Sequence, residues 1–489
     1  MLVRIALMAI ALACIGPAAQ AAGNLDKVTH ILVIYLENRS FDNLFGEFPG
    51  ANGVLAHGAH IPQVPLAGSA YRNLPSPAPG PFSSPYNPHC QLCADLAGLP
   101  NAPFVIDGVR PGVTLRTYTR DLVHRFYTNR AQIRGREQPN DFFVAYSDAR
   151  ALAMGHYSAE AMSRTNIWRL ARDNLLLDNF FQGAFGGSFL NHFWLICACA
   201  PTWPDTPRAL RSRLDSRGNP RGMDADSPYE GDNYVTAEQD GVTEPYAVNT
   251  AQYALFNNGA PQPLLPAQRA ITIGDRLSEK KVDWAWYAGG WDLAILKDRT
   301  PAQEQRFRDL RFQWHHQPFA AFENFNPATE MGQANRHAHL KDAAQLYRDI
   351  VLDRLPPVAF YKPAGFANQH PDYSDIITAD REVGRIVDMM NKSSMRGTFV
   401  VIITYDEFGG FFDHVKPPTS AEAGARADYF GPGTRVPAIL VSPLLNRRGK
   451  PDSTQFDTTS IAKFIAEKHG LERLPQPRFD AVESLSRLF

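Results

Sequence analysis

The chain is 489 residues long, 44% hydrophobic and 20% charged, a globular balance that excludes a disordered or fibrous protein and leaves material for a large core. Lys plus Arg (49) and Asp plus Glu (50) nearly cancel. No overall field therefore draws nucleic acid or an anionic membrane as partner.

The opening segment MLVRIALMAIALACIGPAAQAAG places Arg4 before an apolar stretch and ends in small residues around Ala19-Gln20-Ala21. That layout predicts a signal peptide over residues 1–21, cleaved near Ala21, with export to a periplasm or the medium. The run is too short for a stable membrane anchor, and Gly16 and Pro17 interrupt it. Cleavage leaves Cys90 and Cys93 in HCQLC, and Cys197 and Cys199 in CAC. In an oxidising compartment these predict two disulfides of open connectivity, with a zinc site as the alternative. The tight Cys197–Cys199 spacing favours cross-pairing between the two motifs.

Residues 22–489 read as a single catalytic domain with polar excursions near 56–115 and 201–235. Apolar runs suited to buried strands follow in order: ILVIYL (31–36), LLLDNFF (175–181), AITIG (270–274), VDWAWYA (282–288), TFVVIITY (398–405) and VPAILVS (436–442). Helical spacing of apolar residues marks 158–174 and 378–395. The segment TTSIAKFIAEKHG opens with candidate hydroxyl caps and closes on Gly470. Runs without strict alternation, separated by helices, predict an α/β fold: a mainly parallel central sheet covered by helices on both faces. Ligands of such sheets gather outside the carboxyl ends of the strands.

Two of the runs end alike. The first stops at Glu37 and Asn38, and TFVVIITY stops at Asp406 and Glu407 before Gly409-Gly410. Neighbours on a strand point to opposite faces, so each pair shares one site only where the strand is already turning into loop. Strand ends carry polar residues as ordinary punctuation, but two such pairs offer oxygen ligands for a hard divalent cation: calcium, magnesium, manganese or iron. Ser188 follows Gly186-Gly187 and begins a helical pattern. It is either a cap or a nucleophile placed at a helix N-terminus, with Asn191 one turn on. His124, His315, His316 and His370 supply donors that are cationic in acid. Asp413 and His414 read as loop-ordering residues. Neither GxSxG nor a sulfatase-type C/S-x-P-x-R surrounds Ser188.

The pieces HILVIYLENRSFDNLFG, GGSFLNHFWLICACAP, ITYDEFGGFFDHVKPP and GTRVPAILVSPLL together resemble the bacterial phosphoesterases that include phospholipases C and exported acid phosphatases. They run in that family's order over nearly the whole chain after residue 21. The resemblance implies an alkaline phosphatase-like fold and one divalent metal faced by Glu37, Asn38, Ser188, Asp406 and Glu407. It further implies Ser188 as nucleophile, His316 and His370 as catalytic partners, and His124, Asn191 and His315 lining the phosphate pocket. Phe408 stands where many members carry histidine in DEHGG, which points to the acid phosphatase branch. The expectation is an exported acid phosphatase acting on small phosphate esters through a phosphoserine. Phospholipase C activity on phosphodiester headgroups, or a catalytically silent metal- or phosphate-binding protein, are the alternatives.

Overall fold

Seven strands build the central sheet: β1 (His30–Leu36), β2 (Leu175–Leu177), β3 (Trp284–Ala288), β4 (Leu340–Asp342), β5 (Val358–Lys362), β6 (Phe399–Tyr405) and β7 (Ala438–Val441). Their spatial order is β4-β3-β5-β1-β6-β7-β2. Strands β4 to β6 are parallel, and β7 runs antiparallel between β6 and β2. The computed structural model describes residues 23–489 except 78–85, 88–89, 91, 93–95, 134–138, 204–205, 208–209, 214–245, 257–262, 419–423 and 425–427. The expected signal peptide, Cys93 and most of the second excursion lie outside the described residues.

Helices cover both faces, as the unalternating strands predict. They include α1 (Asn166–Asp173), α2 (Ser188–Cys197), α3 (Ile273–Glu279), α4 (Ala343–Val351), α5 (Ile376–Lys392) and α6 (Thr458–His469). On one face the Tyr287 hydroxyl of β3 donates to Asp349 of α4, and Tyr361 of β5 donates to Glu382 of α5. On the other, Tyr35 of β1 donates to the Asn191 carbonyl of α2, and α2 packs against α6. Every residue of β1 from Ile31 to Leu36, and every residue of β6, is buried. Burial on both sides is what removes the polar alternation.

Four readings need correction. AITIG is not a strand: Thr272 and Asp275 form a reciprocal capping box that starts α3 inside it. The helical pattern at 158–174 splits into Ala159–Met162 and α1, because the Thr165 side chain accepts from Trp168 N–H and opens a new helix. Helix α6 is capped by Asp457 rather than by its hydroxyl residues. Cross-pairing of the cysteine motifs, and the four-thiolate zinc site, also fail, since Cys197 is joined to Cys199. Ala198 turns the chain at φ 50, bringing the two Cα atoms to 5.1 Å. Cys90 is disulfide-bonded as well.

Candidate active site

The sheet register sets up the site. Leu36 pairs with Tyr405, so the next positions, Glu37 with Asp406 and Asn38 with Glu407, emerge side by side at the carboxyl end. The Asp406 N–H still donates to Leu36 O at 3.0 Å, and Arg39 N–H to Glu407 O at 2.9 Å. Asn38 then adopts φ 61, a left-handed turn that asparagine tolerates better than most residues. The turn lets both members of the pair face one centre. Gly409 (φ 66) lies against it: a Cβ there would meet Asn38 O at 2.2 Å.

Ser188 arrives from another element. It is the first residue of α2, with Gly187 as cap, and its hydroxyl donates to Asn38 Oδ1 at 3.2 Å. Asp406 Oδ1 accepts from Asn38 N–H (3.2 Å) and Glu407 N–H (2.8 Å). His124 closes this side, with Nε2 3.3 Å from Asn38 Nδ2 and 3.7 Å from Glu407 Oε1. On the other side His316 Nε2 meets Glu37 Oε1 at 2.6 Å, His370 Nε2 lies 4.0 Å from Glu37 Oε2, and the Tyr373 hydroxyl donates to Glu37 Oε2 at 3.1 Å. His315 sits against His316, ring centroids 4.9 Å apart. Glu37, Asn38, Ser188, Asp406, Glu407, His124, His315, His316 and His370 thus converge on one centre.

Asn191 takes a different position. Its Nδ2 faces the carbonyls of Ala184, Gly186 and Gly187, and its Oδ1 accepts from Ala184 N–H. The amide fixes the turn that delivers Ser188, so its connection to the centre runs through the serine.

Two further residues belong to the centre and were not read from the sequence. Lys362, the last residue of β5, is fully buried with Nζ 2.8 Å from Glu37 Oε1 and 3.4 Å from Asp406 Oδ2. Its signal was the same as for Glu37, a charged residue ending an apolar run, in a strand too short to stand out. His192 lies one turn after Ser188, buried, with Nδ1 donating to Ser188 O at 2.7 Å and Nε2 lacking a hydrogen-bond partner. Helical i,i+4 spacing from Ser188 could have found it.

Charge is unevenly balanced here. Burial pushes Asp406 up to about 7, with Lys362 opposing and Glu37 adding to the rise. Burial, and then Asp406 beside it, push Glu407 well above the usual carboxylate range. Burial would raise Glu37 too, but Lys362, His316 and His370 outweigh it and hold that carboxyl well below. His124, His315, His316 and His370 are all lowered, each chiefly by burial. The cluster of cationic imidazoles expected in acid is therefore moved to lower pH. Lys362 Nζ, against Glu37 and Asp406, is the amine at the centre instead.

These residues fit a divalent cation on the Asp406–Glu407 side. Glu407 Oε1 is buried with no hydrogen-bond partner, and next along the chain Asp406 accepts from Asn38, whose Oδ1 accepts from Ser188 Oγ. All of those donors are oxygens, as a hard cation prefers. Glu37 is already paired with Lys362 and His316, so its service as a ligand requires that pairing to rearrange. Glu37, His315 and His316 bring ligand atoms within 4.8 Å of one another, and so do Asp121, His124 and His370.

The family model described as the phosphoesterase family matches residues 28–472. Among similar proteins are a phospholipase C A of Mycobacterium tuberculosis, 30% identical over 27% of this chain and 28% of its own length, and a hemolytic phospholipase C of Pseudomonas aeruginosa, 28% identical over 41% and 30%. A plant relative, a non-specific phospholipase C of Arabidopsis thaliana, is 28% identical over 25% and 28%. Each match spans under a third of the relative's length. A solved protein of the alkaline phosphatase superfamily from Vibrio parahaemolyticus is 9% identical over 76% of this chain and 73% of its own, at a TM-score of 0.32. At that score the likeness carries no weight, and the α/β assignment stands on the sheet itself.

Proposed function

The chain belongs to the phosphoesterase family, and from that premise we propose that it is an exported, metal-dependent acid phosphatase that hydrolyses phosphomonoesters through a phosphoserine on Ser188. Family membership and relatives named phospholipase C support phosphoester hydrolysis as the reaction class. The layout of residues 1–21 supports export. One observation favours the serine above all: the Ser188 hydroxyl stands at a helix start and donates to Asn38 Oδ1 at 3.2 Å, while the N–H of that same Asn38 donates to Asp406 Oδ1.

A divalent cation held by Asn38, Asp406, Glu407 and Ser188, with Glu37 available on rearrangement, would supply positive charge that eases ionisation of the hydroxyl and offsets the phosphoryl oxygens. With its proton released to solvent, Ser188 Oγ attacks phosphorus in line while the ester oxygen departs opposite, leaving a phosphoserine. Water then attacks the same phosphorus, and Oγ is the second leaving group. The N-terminus of α2 stabilises negative charge on Oγ in both steps. His370 in its doubly protonated form can pass the Nε2 proton to the departing ester oxygen, a step that belongs to acid pH because the neutral ring keeps its one proton on Nδ1. Its Nδ1–H donates to Pro371 O at 2.6 Å, which leaves Nε2 turned toward Glu37 and the centre. His316 holds Glu37, and Lys362 Nζ lies against it on the floor beneath. His124 and His315 flank the phosphoryl position. Ser188 at 7% exposure and His370 at 6%, against 0% for Glu37, Asp406 and Glu407, set the side from which substrate enters.

Purified protein assayed on 4-nitrophenyl phosphate across pH 4–8, with and without chelator, tests the proposal. Turnover that is lost to chelator and restored by a divalent cation, with acid-stable phosphate trapped on Ser188, supports it. Near-normal turnover by Ser188→Ala defeats it. The names of the relatives favour a second reading, phospholipase C activity on a phosphodiester headgroup. Headgroup release from phosphatidylcholine vesicles, faster than monoester turnover, would favour that reading.

A further inference from the structure

A ladder of rings leads outward from the reaction centre. His124 meets His370 edge to face (5.7 Å), His370 stacks on Tyr373 (4.1 Å, interplanar 13°), and Tyr373 meets Tyr86 edge to face (5.8 Å). Tyr373 is tied to the centre by its hydroxyl on Glu37, while Tyr86 is 42% exposed at the outer end. At that end stands Arg311. Its guanidinium carbon lies 4.9 Å from the Tyr86 ring centroid, 5.9 Å from Tyr118 and 6.0 Å from Tyr373.

Several features show that Arg311 is placed rather than incidental. It holds φ 54 at the end of helix Pro301–Leu310, a left-handed conformation disfavoured for a non-glycine residue. Its backbone packs so closely on Gly365 that a Cβ there would meet Arg311 O at 2.4 Å. Among the described residues no carboxylate pairs with it, and its Nε and Nη1 are buried without a hydrogen-bond partner. A guanidinium stacked on aromatic faces with unused N–H groups is a receptor for planar anions. Because it already fills the aromatic box, it also denies that box to another cation.

We propose that Arg311, boxed by Tyr86, Tyr118 and Tyr373, is a leaving-group subsite that selects phosphate esters whose alcohol bears an anionic group and rejects those whose alcohol bears a quaternary ammonium. This rests on the phosphomonoesterase reading and names its substrate class. The ester phosphate sits by Ser188, the alcohol runs along His370 and Tyr373, and its anionic end meets Arg311.

The test compares kcat/KM for 4-carboxyphenyl phosphate, 4-methylphenyl phosphate and phosphocholine. The expected wild-type order is anionic over neutral over cationic, with the anionic-to-neutral ratio about tenfold, as one charge-assisted contact gives. Arg311→Gln brings that ratio to about one and raises phosphocholine relative to the neutral ester, whereas Arg311→Lys retains part of the selectivity. In the wild type itself, 0.5 M salt shrinks the ratio, so the proposal stays testable if the variants fold poorly. A wild-type ratio of one or below overturns it, as does a ratio unchanged in Arg311→Gln or insensitive to salt. Absence of turnover on all three esters would instead remove the phosphomonoesterase reading beneath it.

Discussion

Two buried acidic clusters are made from the same two segments, and they differ in one respect. The segment after β1 gives Glu37 and Asn38 to the candidate active site and, from the short helix Phe41–Phe45, Asp42 to a second cluster. The loop after β6 gives Asp406 and Glu407 to the site, and Asp413 and His414 to that second cluster. Asp42, Asp413 and His414 are also close enough to hold a metal ion. Arg435 occupies the place a cation would take, reaching Asp413 and Asp42 at 3.0 Å each and the carbonyls of Asn52 and Asp178 at 2.7 Å. His414 N–H and Nδ1–H both donate to Asp42 at 2.7 Å. Every carboxylate oxygen of the knot has a donor, whereas Glu407 Oε1 in the site has none. A satisfied acidic cluster holds the two segments together, and an unsatisfied one a few residues away is kept for something that binds.

The sharpest way to break this contrast is to exchange the consequences of mutation. Ser188→Ala should lower kcat/KM on a monoester by about 10³-fold or more, roughly 4 kcal/mol, with the thermal midpoint nearly unchanged. Arg435→Leu should do the reverse: it leaves Asp42 and Asp413 buried without their cation, at a cost of about 3–5 kcal/mol in urea unfolding. Glu407→Gln should be neutral to folding or stabilise it by about 1 kcal/mol, because it replaces a buried carboxyl that is costly to ionise beside Asp406, yet it should abolish turnover. If Arg435→Leu is harmless to stability, or Glu407→Gln strongly destabilising, the distinction between the clusters collapses.

Metal titration sharpens it further. A divalent cation at about 100 times its Kd should stabilise the wild type by about 2.7 kcal/mol, read as a rise in thermal midpoint. Asp413→Asn should keep that increment, since its carboxylate lies in the knot, and Glu407→Gln should lose it. Loss in Asp413→Asn with the increment kept in Glu407→Gln would place the ion in the knot.

Much of the site was legible in the sequence because two long apolar runs end alike in paired polar residues, which one such ending alone would not have marked. Glu37-Asn38 and Asp406-Glu407 stand out for that reason, and parallel register then brings them together. Lys362 escaped because β5 is five residues flanked by prolines, and its last residue looks like loop. AITIG misled in the opposite direction, as its apolar residues belong half to an extended lead-in and half to α3, with the boundary set by Thr272. The cysteine pairing turned on Ala198 adopting a left-handed turn, which spacing alone does not reveal. Asn191 pointed to the right turn and the wrong partner, for hydrogen bonds within a loop are invisible until the loop has a shape. Arg311 carried no motif at all; three tyrosines from distant segments define it.

The smallest effect lies within the knot and follows from proton linkage. Burial pushes Asp413 up to about 6, with Arg435 opposing and Asp42 adding, from an unfolded value near ~3.9. The folded state thus holds that proton more tightly than the unfolded chain does. The associated stability is fully present below pH ~4 and is lost as pH rises through about 6. A shift of about two units is worth at most roughly 3 kcal/mol, and the shared Arg435 and Asp42 bring the expected contribution nearer 1 kcal/mol. Asp413→Asn cannot titrate, so the stability gap between wild type and variant should narrow as pH rises from 4 to 7, measured by urea unfolding at each pH. A gap that widens over that window would mean that Asp413 gains rather than loses from ionisation on folding. The knot would then be held by a charged Asp413–Arg435 pair, and its satisfied state would owe nothing to a shared proton.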